Sequence, residues 1–367
     1  MHIAFLIAKY GRGGVERMMV NTASGLAGLG LSVDYIAPED GPYLDHLDAR
    51  VVFCGLPLGR RERFDYVCAY LRREAPDCII VAKDKDLKLV LSARKRVASN
   101  AKIIMRPGTT ILSKLDSELP LIRWYRRRAI ARVYRDADAL VVNAEAVRKD
   151  VSAVTGISAD EIYLIRNPVI NKRMLSQADG VIEHEWIKDK SVPVIIGIGN
   201  LHRVKDFPTL LEAFSIVRQQ RALKLIILGE GHLKDELKSL SMTMGVGEDV
   251  DFAGFVDNPY PYIKSADLYV LSSVREGSPN ALTEALALGT PVVATDCPGG
   301  VREILKNGRW GRIVPVRSPY EMARAIAATL DNHASVEELI SSVNEYTQEN
   351  AAKSYCKMIN MVCDNNN

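Results

Sequence analysis

The sequence has few features that would tie it to an oxidising compartment or a membrane. Its six cysteines are scattered without a Cys-x-x-Cys pair, which argues against a zinc site or a disulfide framework and favours a reducing compartment. No segment has the roughly 20 consecutive apolar residues that a membrane span requires. The apolar opening at 2–8 is only about a strand long and is followed by Lys9, unlike a signal peptide. We therefore expect a cytoplasmic protein.

Two common ligand-binding signatures are also missing. Neither half contains a G-x-G-x-x-G fingerprint followed by a ribose-binding acid, so a nicotinamide oxidoreductase is the weakest of the enzyme classes considered. No aromatic-lined basic sheet accompanies the positive charge, so we expect no nucleic-acid partner. The formal net charge of +3 is too small to indicate a partner by itself.

Short β-branched runs alternate with helical segments along most of the 367 residues. This order predicts an α/β protein with two Rossmann-like, doubly wound parallel-sheet domains. We place the first domain at 1–170 and the second at 171–346, with the polar segment 171–190 at the junction. A C-terminal helix at about 347–363 is expected to pack back on the first domain. Such an arrangement predicts a ligand cleft between the domains, at the carboxyl ends of the strands.

A glycine-rich turn at 11–16 directly follows the first predicted strand and begins a helix. Gly13 and Gly14 would let the backbone approach a ligand closely, and the free amides of a helix N-terminus favour an anion. An ordinary strand-to-helix turn could have the same residues. Both interpretations stay open on this motif alone.

A second cluster at 197–206 follows the first predicted strand of the second domain. It combines Gly197 and Gly199 with two cations, Arg203 and Lys205. Glycines and cations at a strand end suit a diphosphate, whose leaving oxygen needs charge neutralisation. The alternative is a solvated basic turn.

A third cluster at 276–284 lies between a predicted strand and a predicted helix. Ser278 is predicted to cap this helix and Pro279 to be its first residue. Glu276 would then lie in the loop and Glu284 nearly two turns into the helix, a carboxylate pair able to hold sugar hydroxyls. On the residues alone, an exposed Glu276 and a Glu284 in a surface pair are the better interpretation.

Together these motifs resemble the large retaining glycosyltransferase family 4, which has the GT-B fold. The resemblance rests on the Glu276-x7-Glu284 spacing, Lys205 and the turn at 13–16, and it covers nearly the whole chain, including 228–231, 254–256 and 289–305. It implies that Lys205 neutralises the donor diphosphate, Glu284 holds the ribose and Glu276 contacts the donor sugar. It also implies contacts with the nucleotide donor, partly through backbone, for a set of loop residues: Gly13, Gly14, Asn200, Phe255, Gly277, Ser278 and Asn280.

The chain departs from the family pattern at two positions. Asn200 stands where members often have an arginine, and we expect Arg203 to supply the missing cation. Arg106 stands where many members have an active-site histidine. It could bind an anionic acceptor or the donor, or pair with a carboxylate, and we favour an active-site role.

The resemblance implies a retaining, metal-independent transfer from a nucleoside-diphosphate sugar, with UDP-sugars as the default donor. It also suggests a glycan or lipid-linked acceptor in cell-surface polysaccharide or lipopolysaccharide synthesis. The stretch 94–135 carries an excess of ten positive charges. Within it, the helix predicted at 121–135 suggests peripheral contact with an anionic membrane surface. The alternative is a solvated helix whose apolar face packs only on its own sheet.

Two other functions fit the same cleft. A GT-B sugar-nucleotide epimerase would release a changed sugar without any acceptor. A non-catalytic sugar-nucleotide-binding partner would bind the nucleotide without turnover, and the changes at Asn200 and Arg106 keep this alternative open. The sequence names neither the donor sugar and base, nor the acceptor and linkage, nor the oligomeric state.

Overall fold

The computed structural model describes residues 1–11, 13–116 and 118–364, so Arg12 of the first glycine-rich turn and residues 365–367 lie outside it. The contacts divide the chain into two compact units. Unit 1 comprises Met1–Val169 and Glu345–Asn367, and unit 2 comprises Ile170–Asn344. The chain therefore leaves unit 1 after Val169 and returns to it at Glu345.

The strands and helices alternate in both units. The strands are β1 His2–Leu6, β2 Ser32–Ala37, β3 Val52–Gly55, β4 Cys78–Val81, β5 Lys102–Met105, β6 Ala139–Val142, β7 Tyr163–Leu164, β8 Val194–Ile198, β9 Lys224–Leu228, β10 Val250–Gly254, β11 Leu268–Leu271, β12 Val292–Thr295 and β13 Arg312–Val314. The helices are α1 Gly14–Gly28, α2 Arg60–Arg73, α3 Asp84–Val97, α4 Leu112–Leu115, α5 Pro120–Arg135, α6 Glu145–Thr155, α7 Lys172–Gln177, α8 Glu185–Lys188, α9 Phe207–Arg218, α10 Lys234–Thr243, α11 Tyr260–Ser265, α12 Asn280–Ala287, α13 Val301–Ile304, α14 Pro319–Asp331, α15 Val336–Ser341 and α16 Gln348–Asp364.

The sheet of unit 1 has the order β3-β2-β1-β4-β5-β6-β7, and its paired strands are parallel. Its central strands are buried on both faces, which is why they are continuous apolar runs rather than alternating patterns. One face packs against α2, α3, α5 and α6, and the other packs against α1 and α16. Helix α16 contributes Tyr355, Met358 and Ile359 to that second core.

The sheet of unit 2 has the order β10-β9-β8-β11-β12-β13, again with parallel neighbours. Its core includes Leu210 and Phe214 of α9 and Met322 and Ile326 of α14. The two doubly wound parallel sheets confirm the predicted fold class. The polar segment 171–190 contains the short helices α7 and α8 and belongs to unit 2.

Two short edge strands were not predicted. In β3, Val52 and Phe53 are 57 % and 39 % exposed, and β13 begins with an exposed arginine, Arg312. An edge strand covered on one side only does not need the continuous apolar run that marks a central parallel strand. The sequence pattern that identified the central strands therefore could not identify these two.

Candidate active site

The sequence motifs of unit 2 lie at one edge of its sheet. The strand order runs from β8 to β9 and β10 on one side and from β11 to β12 and β13 on the other, so it reverses between β8 and β11. Loops at such a switch point form a crevice at the carboxyl ends of the strands, where open α/β sheets bind ligands. The loops after β8 and β11 meet there, since the N–H of Val274 donates to the carbonyl of Val204 at 2.9 Å.

Close backbone packing explains the glycines in the loops after β8 and β9. A Cβ on Gly229 would lie 2.0 Å from the carbonyl oxygen of Gly199, and a Cβ on Gly231 would lie 2.5 Å from that of Leu201. No side chain fits at either distance, and Gly229 also has a φ of +142°, a conformation that favours glycine. The two backbones therefore touch and frame this edge of the site.

Lys205 lies at the end of a 3₁₀ turn, Arg203–Lys205, and its side chain crosses Gly199. A Cβ on Gly199 would lie 2.8 Å from Cε of Lys205, so the glycine leaves the path of the lysine open. The Nζ of Lys205 lies 2.7 Å from Oε1 of Glu276, and the side chains are 24 % and 13 % exposed. The cation predicted for the diphosphate and the carboxylate predicted for the sugar are thus paired directly.

Glu276 is fixed by neighbours that sequence reasoning missed. Its backbone N–H donates to the carbonyl of Pro298 at 3.0 Å. Its Oε1 also accepts a hydrogen bond from Oγ of Ser273 at 2.7 Å. Ser273 and Thr295 are both fully buried, and the hydroxyl of Thr295 donates to the carbonyl of Ser273. A polar residue directly after a buried strand is the signal that could have identified Ser273.

Glu284 lies in the interior rather than on the surface. Helix α12 begins at Asn280, so Glu284 is its fifth residue, and it is only 2 % exposed. The prediction of the helix start is wrong by one residue, because Pro279 has an extended ψ of 106° and is itself the N-cap. The surface-pair interpretation of Glu284 is also wrong, because its side chain is enclosed.

A buried tyrosine shows that the two glutamates share one neighbourhood. Tyr269 in β11 is fully buried. Burial raises the pKa of its hydroxyl, and the carboxylates of Glu276 and Glu284 raise it further. Among the described residues, no group forms a hydrogen bond with this hydroxyl oxygen. The carboxylates of Glu276 and Glu284 are therefore both close enough to the hydroxyl of Tyr269 to raise its pKa.

The thiol of Cys297 lies behind the same residues, in the loop after β12. Burial and, to a smaller extent, the carboxylate of Glu276 raise the pKa of Cys297 to about 12, while a hydrogen bond with Thr295 and the charge of Lys205 oppose the shift. A thiol with such a pKa is protonated at neutral pH and is a poor nucleophile. Cys297 therefore offers packing rather than covalent chemistry.

The other residues predicted in unit 2 border the same edge. Asn200 and Arg203 are exposed in the loop after β8, and Phe255 is half-buried directly after β10. The imidazole rings of His202 and His232, which sequence reasoning did not single out, lie edge to face with centroids 4.7 Å apart. Gly277, Ser278 and Asn280 lead from Glu276 into α12, where the first two are buried and Asn280 is partly exposed.

In unit 1 the glycine-rich turn lies at the carboxyl end of β1, beside the switch point between β1 and β4. Gly13 is the N-cap of α1 and Gly14 its first residue. The buried side chain of Glu16 curls back over the turn, and a Cβ on Gly13 would lie 3.0 Å from its Oε2. Lys83, after β4, donates to Oε1 of Glu16 at 2.5 Å. This ion pair fixes the turn that the sequence assigned to the donor.

Asp86 is a second buried carboxylate near this turn. It lies in the first turn of α3, is 2 % exposed, and has an Oδ2 without a hydrogen-bond partner among the described residues. Burial raises the pKa of Asp86 to about 6, although the Ala8 backbone N–H and Lys83 oppose the shift. Nothing in the sequence pattern distinguished Asp86 from the other acidic residues in that helix.

Arg106 is buried inside unit 1. It is 2 % exposed, and its Nε donates to the hydroxyl of Tyr355 at 3.1 Å while its Nη2 donates to Oδ1 of Asn167. Neither partner is a carboxylate, so the alternative of an acid pair is wrong. The observed contacts tie β5 to the segment after β7 and to helix α16, which is a structural arrangement.

Helix α5 covers the basic stretch predicted at 121–135. Only Ala131 and Tyr134 of this helix are buried. Four of its arginines have partners within the fold. Arg127 and Arg135 donate to the carbonyls of Ala153 and Thr155 at the C-terminus of α6. Arg123 and Arg126 pair with the carboxylates of Asp116 and Glu118. Around its first two turns, large apolar side chains are exposed: Leu119, Leu121, Ile122, Trp124 and Tyr125.

Across 1–11, 13–116 and 118–364, no group of three or more His, Cys, Asp or Glu side chains is placed to hold a metal ion. In the same ranges, no helix combines the length and the apolar character that crossing a bilayer requires.

Family comparisons match most of the chain in two parts. Residues 12–173 match the model described as Glycosyltransferase Family 4, and residues 192–332 match the one described as Glycosyl transferases group 1. An N-acetylgalactosamine-N,N'-diacetylbacillosaminyl-diphospho-undecaprenol 4-alpha-N-acetylgalactosaminyltransferase from Campylobacter jejuni is 32 % identical over 55 % of this chain and 53 % of its own length. The lipopolysaccharide core biosynthesis glycosyltransferase LpsE of Rhizobium meliloti is 30 % identical over 53 % of this chain and 54 % of its own. The chain thus spans about half the length of these curated relatives.

Solved structures match over nearly the full chain. HepE of Anabaena, solved in complex with UDP and glucose, has a TM-score of 0.82 at 17 % identity and covers 98 % of this chain and 99 % of its own. A sucrose-phosphate synthase from Thermosynechococcus elongatus has a TM-score of 0.82 at 18 % identity, with 99 % of both chains covered. At this level of identity the similarity shows the fold.

Proposed function

The chain belongs to glycosyltransferase family 4 and has the GT-B fold, and from this we propose that it transfers a sugar from a nucleoside-diphosphate donor to a glycan or lipid-linked acceptor. The observation that carries the proposal is the Lys205–Glu276 pair at the switch point of unit 2, with Glu284 buried behind it. These three residues supply a cation for a diphosphate and two carboxylates for hydroxyl groups at one sheet edge.

The donor roles follow from this chemistry. Lys205 would neutralise the diphosphate, with Arg203 as a second, exposed cation and with amides of the 277–280 loop as donors. Glu276 would accept from the donor sugar and Glu284 from the ribose, while the loop at Asn200 and Phe255 would border the phosphates and base. A UDP-sugar is the proposed donor, which the UDP and glucose bound to the similar HepE fold supports.

We further propose that the reaction retains the anomeric configuration and needs no metal. The bond from C1 to the diphosphate oxygen breaks as the acceptor oxygen attacks from the same face, and the acceptor proton passes to the leaving phosphate. Lys205 performs the charge neutralisation that a divalent cation performs elsewhere.

The proposed place of action is the inner face of a membrane, in polysaccharide or lipopolysaccharide synthesis. The printed name of the Campylobacter relative describes a diphospho-undecaprenol-linked acceptor, and that of the Rhizobium relative describes lipopolysaccharide core synthesis. In this chain, Arg128 stacks on Trp124 at 4.9 Å, and Arg132 is exposed on the same helix. Exposed apolar side chains beside cations suit an anionic bilayer surface.

Membrane contact is tested by vesicle co-sedimentation. We expect the wild-type chain to bind vesicles containing phosphatidylglycerol and not pure phosphatidylcholine vesicles. Replacing both Arg128 and Arg132 by Gln should weaken binding by roughly 30-fold, at about 1 kcal/mol for each cation near the surface. The matched control replaces Lys188 and Lys264 of unit 2 by Gln, which removes the same charge. Equal loss in both double variants would contradict a role for α5.

The donor site is tested by thermal unfolding of the purified chain with UDP, GDP, ADP or CMP in EDTA. A ligand at 100 times its dissociation constant should add about 2.7 kcal/mol to the free energy of unfolding. We expect UDP to stabilise the wild type and Lys205→Ala and Glu284→Ala to lose the effect. Lys264→Ala is the control, because Lys264 also pairs with a carboxylate in unit 2, that of Asp179.

The outcomes separate the alternatives. Binding without turnover of UDP-sugars on any acceptor would support a non-catalytic binding partner, and release of a changed free sugar would support an epimerase. Stabilisation by none of the four nucleotides would overturn the assignment of the donor site.

A further inference from the structure

We propose that Ser273 is a positioning residue that fixes the rotation of the Glu276 carboxylate, so that one oxygen holds Lys205 and the other faces the donor sugar. The inference rests on the proposed function and adds a residue outside the three motifs described above. It concerns the hydroxyl of one fully buried serine at the end of β11.

Two donors converge on one carboxylate oxygen. Oγ of Ser273 and Nζ of Lys205 each lie 2.7 Å from Oε1 of Glu276. Within the described part of the chain, no side chain or backbone group is hydrogen-bonded to Oε2 of Glu276. The carboxylate is therefore engaged on one side only, and the other oxygen is the one available to a ligand hydroxyl.

The serine restricts a torsion that a glutamate would otherwise leave broad. The terminal torsion of a glutamate side chain is broad, so the carboxylate could rotate about a single contact with an ammonium. A hydroxyl on a rigid strand end adds a second donor at a fixed point. Only an orientation with one oxygen between Ser273 and Lys205 satisfies both donors.

Ser273 can do this because its own backbone is fixed. Thr295, at the end of β12, donates to its carbonyl, and its neighbour Ser272 donates from Oγ to the carbonyl of Lys205 at 2.7 Å. The segment that carries the serine is thus bonded to the residue whose side chain it helps to place. Loss of the hydroxyl should change the orientation of the Glu276 carboxylate without changing these backbone hydrogen bonds.

The consequence is a split between two parts of the donor. The diphosphate contacts Lys205, whose backbone is held by the hydroxyl of Ser272 and not by Ser273, whereas the sugar contacts the free oxygen of Glu276. A wrongly rotated carboxylate should weaken binding of the sugar while leaving the nucleotide largely unaffected. A serine that only supported the fold would weaken both or neither.

The main test is calorimetric titration of UDP and UDP-glucose, in EDTA, into wild type and Ser273→Ala. We expect the dissociation constant for UDP-glucose to rise about tenfold, since a hydrogen bond to a charged group is lost, and that for UDP to change less than twofold. Ser273→Thr, which keeps a hydroxyl, should restore most of the affinity. Ser241→Ala is the matched control, because Ser241 is equally buried in α10 and bonds only a local carbonyl. Equal weakening of both ligands, or no weakening, would overturn the proposal.

A ligand-free measurement keeps the inference separate from the proposed function. The rate of acetylation of each lysine by acetic anhydride is followed by mass spectrometry in the same variants. Releasing Glu276 should expose Lys205 and raise its rate at least threefold in Ser273→Ala, with Lys264 unchanged. If the wild type binds neither nucleotide, the proposed function fails, and the Lys205 rate still decides the role of Ser273. An unchanged Lys205 rate would overturn it.

Discussion

Replacing Asp86 by asparagine should stabilise the protein at neutral pH. Asp86 is almost fully buried in unit 1, and burial raises its pKa from 3.8 to about 6. A carboxyl group with a raised pKa in the folded state favours folding less as the pH rises, because the folded chain holds the proton more tightly than the unfolded chain. The contribution of Asp86 to the free energy of unfolding therefore falls between pH 3.8 and about pH 6. Above that range the buried carboxylate is ionised, and its full destabilising effect on the folded state is present.

The size of the pKa shift of Asp86 determines how much the Asp86→Asn substitution should stabilise the protein. At 1.36 kcal/mol per pKa unit, the ionised Asp86 costs up to about 3 kcal/mol at pH 7.5. Asparagine keeps an oxygen to accept from the Ala8 N–H but introduces a buried amide, so we expect a net gain of roughly 1–2 kcal/mol. In a domain of this size that corresponds to a rise in melting temperature of about 2–8 °C.

The assay is urea unfolding of Asp86→Asn and wild type at pH 5.0, 6.0 and 7.5. The advantage of the variant should be largest at pH 7.5 and should shrink at pH 5.0, where wild-type Asp86 is mostly protonated. Asp65→Asn serves as control, because Asp65 is exposed on α2 of the same unit and its replacement should change stability by less than about 0.5 kcal/mol. A variant less stable than wild type at pH 7.5, or a difference independent of pH, would refute the reasoning.

Three further substitutions test the packing around the two sheet edges. Tyr269→Phe should be as stable as wild type or more stable in urea unfolding, because it removes a buried hydroxyl that has no partner among the described residues; a loss above about 1 kcal/mol would show that the hydroxyl makes a bond. Arg106→Met should cost about 3 kcal/mol in the same assay, because it removes the buried hydrogen bonds that Arg106 donates to Tyr355 and Asn167, and a loss under about 1 kcal/mol would contradict this. Gly229→Ala should abolish UDP stabilisation in the thermal screen, because its Cβ would lie 2.0 Å from a carbonyl oxygen, and unchanged stabilisation would show that the loop can move.

The parts of the fold that could be predicted are those in which one residue pattern has one structural solution. Continuous β-branched runs such as Ile79–Ile80–Val81 are compatible with a central parallel strand, and those strands were found. The edge strands β3 and β13 carry no such run, since they are partly exposed. The start of α12 was missed by one residue, because a serine followed by a proline fits either the N-cap or the position before it.

The site shows a different limit of sequence reasoning. Lys205, Glu276 and Glu284 could be singled out through the resemblance to the family motifs, but not the fact that Glu276 and Lys205 are paired. Asp86 could not be singled out, and Ser273 only as a polar residue after a buried strand, because the importance of both comes from residues brought close by the strand order. Arg106 illustrates the same limit, since the sequence could not show that this charged residue after a strand has buried partners on α16 and after β7.

The chain passes from unit 1 to unit 2 and back again, and this order has a consequence for folding during translation. As the nascent chain leaves the ribosome, Met1–Val169 emerges first, yet α16 emerges only after all of Ile170–Asn344. At about 5–20 residues per second, the face of the first sheet that α16 covers stays bare for roughly 10–40 seconds of translation. Unit 2, which is continuous, can finish folding within that interval. Unit 1 begins first and ends last, so the bare face around α1 is where a chaperone would be needed.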